Sequence, residues 1–403
     1  MSRARPLLVC LLVVSCFGVA STAAAPAAPT IVEVYPNTVH ADNAGEYVVV
    51  EFAPGSDLSA FSLTDGETTT TLGNGSVSGA VAFSRAPETT REMVEYPVYG
   101  LPERFSMAQS GETIRLHRNS DLVDETTYER APEGERWLLA DGSWERRPRG
   151  ATDLEARDLP AERATAFVLP DSPEVPIDTL RAADERLYLA GYSFSSERAS
   201  EALIRAHERG VEVRVLVDGT PVGGQTEAEA RALDRLVASG IEVRIFDGPS
   251  TRYRFHHPKY AVVDERALVM TENWKPSGTG GGASRGWGVV VEGGSVAEEL
   301  AAVFEADAGW EDTAAWDRSL TGELVAEEPA SGDFAGEFEP VTGEVESVRV
   351  VTAPDNAEEE TTALLRSAEE SILIEQPTIA RDHVFLREVL AAAERGVDVR
   401  ILL

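Results

Sequence analysis

Lysine and cysteine are almost missing from this chain of 403 residues. Both cysteines, Cys10 and Cys16, fall near the start, so the rest has no thiol for a disulfide framework, a thiolate zinc cluster or a cysteine nucleophile. Of 36 Lys and Arg residues only Lys259 and Lys275 are lysine, and 69 Asp and Glu outweigh them to a formal net charge of -33. Such a surface repels polyanions in dilute solution, but at about 1 M salt the Debye length is about 3 Å and the repulsion is screened. The acidity therefore does not exclude a nucleic acid or phospholipid substrate.

Long apolar runs are missing too, with one exception. Arg3 and Arg5 precede an apolar stretch over 7–19, followed by small residues that include Ala23 and Ala25. This reads as a secretory signal peptide over 1–25, too short for a membrane span of about 20 residues. The expected location is secreted or extracellular, with lipid anchoring at Cys16, after Val13-Val14-Ser15, as the alternative. The lysine-poor, carboxylate-rich composition is that of a halophilic protein. With 43% hydrophobic and 26% charged residues the remainder is globular, long enough for two or three domains of roughly 150 residues.

Over 31–150 short β runs (TIVEVYP, EYVVVEF, ETIRLHR, RWLLADGSW) are broken by Gly, Asn, Asp and Pro, the pattern of an all-β sandwich. Gly45-Glu46-Tyr47-Val48, Phe61-Ser62-Leu63-Thr64-Asp65-Gly66, Ser110-Gly111-Glu112-Thr113 and Gly142-Ser143-Trp144-Glu145-Arg146 occur in an order that resembles the lamin tail domain. The resemblance implies an immunoglobulin-like fold with a ligand unknown; Trp137 and Trp144 are read as packing residues, and no site is assigned there.

After an Arg/Pro/Asp-rich joint the pattern changes to strands alternating with helices over 163–320. ERLYLAGYSF is a strand, SSERASEALIRAHERG a helix with Ala199, Ala202, Leu203 and Ala206 on one face, and VEVRVLVDG a second strand: a βαβ unit within a helix-covered sheet. Residues 321–346 are acidic and aperiodic, a connector. Over 347–403 the βαβ pattern returns, with Arg209-Gly210-Val211 and Arg395-Gly396-Val397 recurring 186 positions apart. The reading is an internal repeat whose second copy is truncated at Leu403.

The chemistry concentrates in FHHPKYAVVD, which holds His257, Lys259 and Asp264 as H-x-K-x4-D. Residues two apart on an extended strand face one side, so an imidazole and an ammonium can converge on one anion. A phosphodiester calls for this pairing: histidine attacks phosphorus or protonates the leaving oxygen while a fixed cation stabilises developing charge, with no metal or cofactor required. A chain that writes nearly every cation as arginine keeps one of its two lysines here.

The motif, its βαβ setting and the following Thr271-Glu272-Asn273-Trp274 resemble the phospholipase D superfamily. That resemblance implies a phosphohistidine mechanism, with His257 as nucleophile or acid, Lys259 on phosphate oxygens, Asp264 orienting site groups by hydrogen bonds, and Asn273 and Thr271 binding substrate. Met270-Thr271 stands where the family has Gly-Ser, and no carboxylate precedes Trp287. His256 is read as a neighbour of the site, and Ser277–Gly286 as a flexible loop beside it. A second H-x-K is expected near position 443, about 186 residues beyond the first, so residues 1–403 carry half a site and a homodimer is implied if no second motif exists. The expected function is an exported, metal-independent phosphodiesterase, leaning to a nuclease over a phospholipase. The alternative is a non-catalytic surface or binding protein with an incomplete site.

Overall fold

The computed structural model describes residues 28–403 apart from 249, 321, 328–331, 335 and 382. The signal-peptide reading at 1–25 lies outside the described residues.

The first module is built of strands, with a single five-residue α-helix, Pro87–Arg91. A six-stranded sheet has Thr30–Tyr35, Tyr47–Asp57 and Ser76–Ser84 as its centre, and a four-stranded sheet centres on Phe61–Thr64 and Glu112–Arg118. Alternation decides which side chains go inward: Val48, Val50 and Phe52 join Leu63, Ile114 and Leu116 in a core shared by both sheets. The intervening Tyr47 and Val49 pack on the opposite face against Met93 and Val98. Trp137 and Trp144 pack against the shared core. One pairing, Ser76–Ser84 with Val98–Gly100, is parallel.

The second module is a nine-stranded mixed sheet. Arg186–Gly191, Glu212–Asp218 and Glu242–Phe246 run parallel, and Lys259–Val263, Arg266–Met270, Gly286–Glu292 and Arg163–Leu169 continue it antiparallel. Leu187 and Leu189 face the helices Glu174–Arg181, Glu197–Glu208 and Glu227–Ala238, while Tyr188 and Ala190 face the helix Gly294–Ala308. Glu197–Glu208 starts where Ser196 accepts the amide of Ala199 and buries Ala199, Ala202, Leu203 and Ala206, spaced i, i+3, i+4, i+7.

The stretch read as a connector is partly structured, since Val341–Glu344 forms the edge strand beside Arg163–Leu169; just past it, Ser347–Arg349 pairs with Asp158–Pro160. Backbone pairing needs no hydrophobic alternation at an exposed edge, so the composition did not betray it. Beyond it, Ser371–Glu375, the helix Val384–Glu394 and Asp398–Leu402 form a second strand–helix–strand unit with parallel pairing, closed by Ile372, Ala392 and Val397. Its other face leaves Leu373 and Leu402 exposed.

The two modules meet at the loop leading to His257. Arg149 donates to the carbonyls of Ser250 and Thr251 at 2.9 and 3.1 Å, Tyr253 donates its hydroxyl to the Gly150 carbonyl at 2.7 Å, and Arg254 pairs with Glu133 at 2.9 Å. A Cβ at Gly150 would sit 2.1 Å from the Tyr253 ring, so only glycine admits this approach.

Candidate active site

The parallel strands Arg186–Gly191 and Glu212–Asp218 end where Lys259–Val263 begins, with Gly191 opposite Lys259. This carboxyl end of the strands is where open α/β sheets bind ligands. Lys259 opens its strand, and His257 lies on the loop before it rather than on the strand itself.

The lysine is buried, with 8% of its surface exposed. Its Nζ lies 3.0 Å from His257 Nδ1 and 3.2 Å from Nε2, and donates to the His257 carbonyl at 2.9 Å. Tyr192 packs against the imidazole at 4.2 Å between ring centroids, and the same tyrosine ring lies 5.2 Å from the ammonium. Burial lowers the Lys259 pKa to about 8, opposed by the charges of Glu272 and Asp218. Burial, and then the Lys259 charge, hold His257 below its ordinary value, so the imidazole is neutral at pH 7. A neutral imidazole beside a fixed cation can attack an anionic phosphorus centre whose charge the cation absorbs.

A buried polar scaffold holds the loop. The His256 amide donates to Asp218 Oδ2 at 2.6 Å, its Nε2 lies 3.0 Å from Asp307 Oδ2, and its ring stacks on Phe246. Burial pushes Asp218 up to about 6, although the amides of His256 and Thr220 pull the other way. Five residues earlier than His257, Arg252 is wholly buried, pairs with Asp312 at 2.8 Å and lies 4.4 Å from the Trp310 ring.

Residues 177–308 match the family described as "Cardiolipin synthase, PLD-like domain". They form a phospholipase D-like domain. Solved structures similar to this chain include a phospholipase D family member, Nuc, from Salmonella typhimurium, 20% identical over 38% of this chain and 99% of that one, TM-score 0.34. NucT from Helicobacter pylori is 14% identical over 37% and 97%, TM-score 0.31, and phosphatidylserine synthase from Haemophilus influenzae Rd KW20 is 15% identical over 44% of each chain, TM-score 0.30. No curated protein matches the chain.

Within the phospholipase D-like domain the structure brings His257 and Lys259 together and sends Asp264 elsewhere. Asp264 follows the far end of Lys259–Val263, roughly 16 Å of extended chain from the lysine. There, at φ 52°, its carboxylate accepts the amides of Asp184, Glu185 and Arg186 at 2.9, 2.8 and 3.0 Å. Burial acts to raise its pKa, but these hydrogen bonds outweigh it and hold the carboxyl below the ordinary value. The four residues between Lys259 and Asp264 are the rest of the strand that Lys259 opens, and the expected orienting role at the site is corrected to a staple at the sheet's opposite end.

Thr271 is also engaged: its amide donates to the Trp287 carbonyl, and its hydroxyl accepts the Trp287 amide, both at 2.9 Å. Asn273 Oδ1 is buried without a hydrogen-bond partner in the described structure. Between them stands Glu272, whose charge acts on Lys259 and whose carboxylate accepts the Ser284 hydroxyl at 2.6 Å. A Cβ at Gly286 would meet the Glu272 side chain at 2.5 Å and Thr271 Oγ1 at 2.6 Å. The glycine-rich stretch thus packs against Glu272 at Ser284 and Gly286. Sequence reasoning missed Glu272, Asp218 and Tyr192. The signals were slight: a carboxylate between two residues already singled out, and residues at or just past the ends of predicted strands.

Proposed function

We propose that the protein is a phosphodiesterase working through His257, with a nucleic acid as the preferred substrate class. The family match over 177–308 supports a phosphodiesterase-type activity, and the observation that carries the reading is the contact of a neutral His257 imidazole with the buried Lys259 ammonium. An imidazole nitrogen attacks phosphorus, a P–N bond forms, and the P–O bond to the leaving alcohol breaks as an acid protonates that oxygen. Water then attacks the phosphohistidine and releases the phosphomonoester, regenerating the imidazole. Lys259 stabilises the added charge at each stage. His257 serves as nucleophile or as the acid, and the other role falls to a second histidine, from a second copy of the motif or from a partner chain.

Residues 347–403 are read as part of a second phospholipase D-like repeat, the module over 31–150 as lamin-tail-like, and the protein as exported. The alternative of a binding protein with a silent site makes the opposite forecast for turnover. Hydrolysis of bis-(p-nitrophenyl) phosphate in EDTA by the full chain, lost by about 1,000-fold or more in His257→Ala, is the expected outcome. No turnover by the unaltered full chain would sink the enzyme reading.

A further inference from the structure

The junction of the two modules encloses a cleft of about 540 Å³ that opens on His257. Its size falls within the roughly 300–1,000 Å³ of small-molecule sites. One wall comes from the phospholipase D-like domain, with Arg254 and Phe255 leading into His257; the other comes from the β module, with Glu133, Glu135 and Pro148. Phe255 is 39% exposed, although the buried neighbour Tyr192 meets it edge-on at 6.2 Å and packs on His257 at 4.2 Å. An aromatic ring is thereby held beside the phosphoryl centre with surface free for a further contact.

We infer that this cleft is a nucleobase subsite: a base of a single-stranded nucleic acid stacks on Phe255 while its phosphodiester lies at His257 and Lys259, and the β module supplies the facing wall. The inference rests on the phosphodiesterase reading and gives its substrate class. The aliphatic lining is short and rigid, Val39, Pro148 and Pro354, beside the rings of Tyr253 and Phe255, and it suits a planar ring better than a long acyl chain. Carboxylates accept hydrogen bonds from base amino and imino groups, and Glu133 and Glu135 are charge-compensated by Arg254 at 2.9 Å and Arg146 at 2.8 Å. A base within a duplex cannot present its face to Phe255, so the strand must be single or locally opened.

The test compares oligodeoxythymidylate with an abasic oligomer of equal length, the same phosphodiester backbone without bases, by fluorescence anisotropy on the full chain carrying His257→Ala, so that neither oligomer is cut. Base stacking is worth about 1–3 kcal/mol, so the thymidylate should bind roughly 5- to 150-fold more tightly. Phe255→Ala should bring it to the abasic level, and Phe255→Trp should keep the difference, with circular dichroism confirming that both variants fold. Equal binding of the two oligomers, or equal weakening of both by Phe255→Ala, would overturn the subsite. Binding to phosphatidylglycerol vesicles with neither oligomer bound would also overturn it, and would place the substrate among lipids. In each of these cases hydrolysis of bis-(p-nitrophenyl) phosphate by the unaltered full chain leaves the phosphodiesterase reading standing, whereas absent turnover removes both.

Discussion

At the residue scale, the pairing of His257 with Lys259 sets a pH window. Each group is shifted by burial toward its neutral form, and the close cation shifts the histidine further. With His257 as the nucleophile, attack needs the imidazole neutral and the ammonium charged. The value of kcat/KM should therefore fall on the acid side only below the ordinary histidine range of about 6.5, and on the alkaline side as Lys259 loses its proton near 8. A bound phosphodiester favours the charged lysine, so the alkaline limb of kcat should lie above that of kcat/KM. A pH–rate series on a chromogenic diester measures both limbs; an alkaline limb at the ordinary lysine value of about 10.4 would contradict the burial of this ammonium.

At the element scale, the loop before Lys259–Val263 is fastened at several points: Arg252 to Asp312, Tyr253 to Gly150, and His256 to Asp218 and Asp307. The β module is thus part of the mounting of His257. Gly150→Ala places a methyl group inside the Tyr253 ring envelope, and relief requires the loop or the module to shift. We expect a loss of about 1–3 kcal/mol in stability, the usual cost of overpacking, and at least about a 10-fold fall in kcat, because small displacements of reacting groups are costly. Chemical denaturation and steady-state kinetics on the full chain check the two effects separately. Unchanged kinetics with lowered stability would detach the β module from the alignment of the site.

At the scale of the whole molecule, the dominant fact is 69 acidic residues against 36 basic ones. Dense carboxylates repel one another and repel an anionic substrate, and both effects are screened as the Debye length falls from about 10 Å at 0.1 M salt to about 3 Å at 1 M. The melting temperature and kcat/KM toward a phosphodiester polyanion should both rise between about 0.1 and 1 M KCl, opposite to the usual loss of nucleic-acid affinity with salt. Differential scanning calorimetry and initial rates across that series are the measurements, and a monotonic fall in both would remove the halophilic reading.

Much of the architecture was legible in the chain because hydrophobic periodicity is local. Short apolar β runs such as EYVVVEF marked strands of the first module, helical spacing marked Ala199 through Ala206, and a two-residue spacing marked His257 with Lys259. The edge strand Val341–Glu344 stayed hidden because it buries no alternating face. Only the tertiary structure decided that Asp264 belongs to the far end of the sheet, since a motif records spacing along the chain and a strand converts that spacing into distance. Only folding, too, could place Glu272 under the glycine-rich stretch and Glu133 across from Phe255. Such contacts join residues far apart in sequence, and burial and charge then act on them through space.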